Sequence, residues 1–169
     1  MSYRRVLQIF LIFIGLAAAS LVQSGMVQKL SLDRLISEAD LIVKGRVDEI
    51  KSRQASDRRT MTTVVTITLE RQFKGPKVSS VTIEQPGGSL GDVTLGVPGL
   101  PEFTTGEDVI LFLKRQRGGA FNIVGGKQGK FTAKTQPGSD NEVVEDFAHR
   151  TEALDSFLGR LTTMTQKGG

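Results

Sequence analysis

"ADLIVKGRVDEI", residues 39–50, decides the fold. It opens as a buried strand and then sets Gly45 between two cations, Lys44 and Arg46. Leu41, Val43 and Val47 share one face of that strand; Ile42, Lys44, Arg46 and Asp48 share the other. A glycine in mid-strand marks a bulge or a tight bend. The first strand of a small closed barrel needs such a bend, because it pairs on both sides. Gly45 is read as that bend, with Lys44 and Arg46 facing outward where charge costs little. The triplet then needs no catalytic explanation.

Working outward, "KLSLDRLISEAD" predicts a short helix before the strand. Ser31 is a good N-cap, and Asp33 sits in the first turn, where the helix dipole favours it. After the strand, the polar run 51–60 reads as an exposed hairpin tip or loop carrying Arg53, Arg58 and Arg59. "MTTVVTITLERQF" (61–73) alternates Met61, Val65, Ile67, Leu69 and Phe73 with threonines and charges, as a sheet with one wet face does. Gly75-Pro76 stops it, and "SSVTIEQ" gives a third strand. The Gly- and Pro-rich stretch 86–107 is long for a connection, and "DVTLGV" within it is a candidate strand. "DVILFLK" (108–114) is apolar on both faces, so it predicts a central, covered strand. "GGAFNIVGGKQGKF" reads as a last strand or hairpin. Residues 136–142 read as a linker, and 143–164 as an amphipathic helix. Its stripe is Val143, Phe147, Leu154, Phe157, Leu158 and Leu161, expected to dock on the chain's own sheet.

The expected architecture is mainly β: a five-stranded OB-like Greek-key barrel over 30–135, with a short N-terminal helix and a C-terminal amphipathic helix over 141–164. Residues 1–24 have the layout of a signal peptide, with Arg4 and Arg5, an apolar run Val6–Leu16, then Ala17, Ala18, Ala19 and Ser20. Cleavage is expected after Ala19 or Ser24. That implies a periplasmic or extracellular protein with no stable membrane anchor after cleavage.

The 169 residues suffice for one domain with its own core. With no cysteine, thiol catalysis, cysteine metal sites and disulfides are excluded. His149 is the sole histidine, so neither a catalytic triad nor a zinc site can be assembled around it; it is expected on the charged face of the last helix. Glu102, Glu107 and Asp108 cluster at a turn, where solvation explains them better than a paired-acid or calcium site. "GGKQGK" lacks the spacing of a phosphate loop. The net charge of +4 is modest, and it falls further when Arg4 and Arg5 leave with the leader.

The order "LSLDRLISEADLIVKGRV", a long strand ending "FKGP", "VTIEQPGG" and "PEFTTGEDVILFL" is similar to a family of small, mostly uncharacterised exported bacterial proteins, across residues 30–115. It also resembles the OB-fold module of netrin C-terminal domains and tissue inhibitors of metalloproteinases. Those share the "AD" opening of strand one, the "FKG" end of strand two and a turn before a hydrophobic strand. The inhibitors chelate zinc through an N-terminal cysteine and are stapled by disulfides. This chain has neither, so the resemblance implies a fold and not that chemistry.

The functional expectation is therefore an exported, non-enzymatic binding module that engages another exported protein, without cofactor or metal and as a monomer. Leu95, Val97, Leu100 and Phe103 are the candidate partner-binding residues. The alternative is polyanion or single-stranded nucleic-acid binding on the barrel face. That mode needs stacking aromatics among cations, and export separates the protein from most nucleic acid, so no nucleic acid is expected.

Overall fold

The computed structural model describes residues 29–54 and 60–167. The leader, its cleavage sites, Arg58 and Arg59 lie outside the described residues.

Ser31 caps the first helix, α1 (Leu32–Glu38), by accepting from the Arg34 amide. Two long strands follow, β1 (Leu41–Gln54) and β2 (Met61–Lys74). The stretch 51–54, read as loop, is thus strand; its Arg53 ion-pairs with Glu84 on β3 (Ser80–Pro86). A small hairpin comes next, β4 (Gly88–Leu90) and β5 (Val93–Leu95), and then the central strand β6 (Asp108–Arg115). β7 (Phe121–Ile123) and β8 (Lys130–Thr135) share the same edge of β6, separated by a 3-10 turn at Gly126–Gly129.

β1 pairs antiparallel with both β2 and β6, and Ile83 pairs in parallel with Phe121. The order β1-β2-β3-β7-β6 thereby returns to β1 and closes a five-stranded Greek-key barrel of the OB type. β1 breaks register with β2 in three places, one of them between Lys44 and Gly45. A Cβ on Gly45 would lie 2.3 Å from the Thr68 carbonyl oxygen, so β2 approaches the glycine too closely for any other residue.

Inward residues of the barrel strands form one core: Leu41, Val43, Val47, Val65, Ile67, Val81, Ile83, Val109, Leu111, Leu113 and Phe121. Alternate residues of β1 and β6, namely Ile42, Ile110 and Phe112, point outward into a second core under both helices. This is why β6 is apolar on both faces.

The C-terminal region corrects the sequence reading. The helix α2 begins at Leu154 and runs to Lys167. Before it, β9 (Glu142–Glu145) and β10 (Thr151–Ala153) extend the sheet beyond β8, so residues 141–153 are not helical. Asp146 forces the turn between them. Its carboxylate accepts from the Ala148 and Arg150 amides at 2.9 and 3.1 Å, and His149 takes a left-handed φ of 59°. Of the predicted stripe, Leu154, Phe157, Leu161 and half-buried Leu158 lie on α2. Val143 is buried on β9, and Phe147 sits apart in the turn. Phe157 packs tilted against Phe131, with centroids 4.9 Å apart, and Phe131 tilted against Phe112 at 5.7 Å.

Candidate functional site

One end of the barrel is an open cleft of about 1250 Å³. Its walls come from separated parts of the chain: Ile50 and Ser52 of β1, Thr63 of β2, residues 85–89 and 94–103, Glu107, Lys127, Lys130, Thr132 and Lys134, and the β9–β10 turn with Phe147 and His149. All four predicted partner-binding residues, Leu95, Val97, Leu100 and Phe103, line it. Phe103 is half-buried and, like Ile50, packs on the barrel core.

The β4–β5 hairpin forms the rim. Gly87 and Gly88, at φ of 93° and 137°, turn the chain out of β3, and the Thr63 hydroxyl donates to the Gly87 carbonyl at 2.8 Å. The hairpin has two unlike faces. Ser89 and Thr94 lie opposite each other and join their hydroxyls at 2.9 Å. On the other face, Leu90 pairs with Val93, and Leu95 follows two residues on. These three are 45%, 59% and 41% exposed. Among the described residues only one other large hydrophobic is exposed, Val78, in the turn that leaves the far end of β2.

Charges in the cleft are mostly matched. Lys130 bonds both carboxylate oxygens of Glu107, at 2.7 and 2.8 Å, and lies 4.7 Å from the Phe103 ring centre. Glu145 holds Lys134 and, at 2.6 Å, His149 Nδ1. His149 thus lies in a turn and not on the last helix, with an exposed side chain. Burial pushes the Asp146 carboxyl up, but hydrogen bonds from Arg150 and the Ala148 amide outweigh it and hold it below the usual range. Of the acidic cluster at 102–108, Glu107 pairs with Lys130, and Asp108 takes a bidentate contact from Arg46, with both bonds at 2.8 Å. That contact holds the Asp108 carboxyl below its ordinary value. Among the described residues no group of three His, Asp or Glu side chains is arranged to hold a metal ion.

No family model and no curated protein matches the chain. The cleft must therefore be judged on its own chemistry. The sequence did not point to Phe147, which lies 5.8 Å from Lys127 Nζ, or to Lys130. The signal for Lys130 was faint: a cation between a glycine, Gly129, and an aromatic, Phe131.

Proposed function

We propose that this protein is an exported, non-enzymatic binding module that holds a segment of another exported protein in the cleft at the barrel end. The carrying observation is the apolar hairpin face, Leu90, Val93 and Leu95, left in water at the rim of that cleft. Soluble proteins cover such patches unless a partner does so. The cleft is open and exceeds the roughly 300–1,000 Å³ usual for small molecules, which favours a length of polypeptide. Its mixture of apolar and ion-paired walls suits a protein surface.

A polyanion site on the barrel face has weaker support. The outward cations Lys44, Arg46 and Arg53 each ion-pair with a carboxylate, Glu70, Asp108 and Glu84 respectively.

Photo-crosslinking side chains placed at Val93, Leu100 and Val78 in the producing cells test the proposal. Discrete protein adducts are expected from Val93 and Leu100 and not from Val78. Equal labelling at all three, or none, overturns it, and retention on heparin that salt abolishes would favour the polyanion. Mass analysis of the exported protein should find an N-terminus at Ser20 or Gly25; an intact Met1 in that fraction would sink the leader assignment.

A further inference from the structure

The cleft wall from Gly96 to Glu107 has no regular secondary structure, yet it is held at definite points. Gly99 accepts from the Lys127 amide at 3.0 Å, Pro101 from Gln85 Nε2 at 3.0 Å, and the Gly106 amide donates to Val47 at 2.7 Å. Between Pro101 and Gly106 Phe103 packs on the barrel core, and the polar hold comes from β8. Lys130 Nζ donates to the Glu102 carbonyl at 2.6 Å and to both Glu107 oxygens. Thr132, two residues along the same face of β8, donates to Glu107 Oε1 at 2.8 Å, and the Thr104 amide donates to Oε2 at 3.2 Å.

We propose that Lys130 is a positioning residue of the binding cleft: it pins segment 102–107 so that Leu100 and Phe103 stand as a preformed wall. This rests on the reading of the cleft as the binding site. All three ammonium protons have acceptors inside the protein, and the side chain is only 12% exposed, so Lys130 is not free to take a partner's carboxylate. The Phe103 ring lies against the ammonium, so the ion pair and the aromatic fix each other. A wall fixed before binding spares the partner the cost of ordering it.

Hydrogen exchange on the full chain tests this with Lys130→Met. Because that change leaves the half-buried Glu107 carboxylate without its cation, the double variant Lys130→Met with Glu107→Gln serves as a second, charge-free version. In the double variant, amides of 98–106 should exchange at least about tenfold faster while those of β6 stay protected. The Leu100 crosslink should fall by a similar factor and the Val93 crosslink should persist. Unchanged exchange at 98–106, or a rise spread over the whole chain, overturns the positioning role. If the wall loosens and the Leu100 adduct does not change, the hold on the loop stands and the cleft reading falls.

Discussion

The helix α2 and the β4–β5 hairpin are both amphipathic, and each presents large apolar side chains on one face. On α2 the deepest are Leu154, Phe157 and Leu161, no more than 3% exposed. On the hairpin they are Leu90, Val93 and Leu95, at 41–59%. The difference follows from where each element meets the sheet. α2 lies over the outward residues of β1 and β6, which are themselves apolar, so the two surfaces close on each other. The hairpin closes its polar face with the Ser89–Thr94 hydroxyl contact, and its apolar face stays exposed at the cleft rim, where Leu95 lines the cleft. Apolar surface on α2 is therefore invested in stability. On the hairpin it is available for contact.

The strongest way to break this comparison is Phe157→Asp with Leu161→Asp. Burial of each native side chain contributes about 1.5–3 kcal/mol, and a buried unpaired carboxylate costs more, so the cooperative thermal transition should be lost. A normal transition would put α2 outside the core. Gly45→Val comes next. Overpacking against the Thr68 carbonyl should cost about 2–3 kcal/mol in a denaturant titration, and unchanged stability would mean that β1 can move away from β2 there.

Acid should have a smaller, graded effect. Asp108 and Asp146 are held below the ordinary carboxyl value of 3.8 in the fold, so the unfolded chain binds more protons near that pH. Their stabilisation is complete above the unfolded value and is lost as pH falls through the lower folded values. Melting temperatures recorded down to about pH 2.5 should therefore decline less steeply in Asp108→Asn with Asp146→Asn. A slope equal to the wild type would show that these two groups contribute nothing. The smallest stability effect belongs to the hairpin: Val93→Lys should stay within about 0.5 kcal/mol of wild type, as exposed positions do, while abolishing partner adducts at Leu100. A large loss of stability would mean the hairpin face is not free surface.

The barrel strands were legible because their signals are local. Alternation over 61–73, the two-faced apolar run at 108–114 and the Ser31 cap each lie within a few residues. The segment 143–153 misled because Val143, Phe147 and Leu154 fall close to helical spacing. What overrides that spacing is Asp146, whose side chain bonds the turn amides more readily than a helix interior would allow. β4 escaped notice because three residues, Gly88 to Leu90, carry no period. The cleft was legible only on its 95–103 side. Its other walls come from parts of the chain brought together by strand pairing, and Lys130 meets Glu107 only because β8 pairs with β6.

β6 belongs to both cores at once, with Val109, Leu111 and Leu113 facing one and Ile110 and Phe112 the other. Its partner β1 is about seventy residues earlier in the chain, Leu41 meeting Leu113. Neither core can be completed before that distant pairing forms, so the barrel and its helical cover have no independent folding routes. Closing the barrel therefore needs a contact between distant parts of the chain, the kind of pairing that slows folding. Once formed, the same strand makes partial unfolding costly, because peeling it away opens two interiors together.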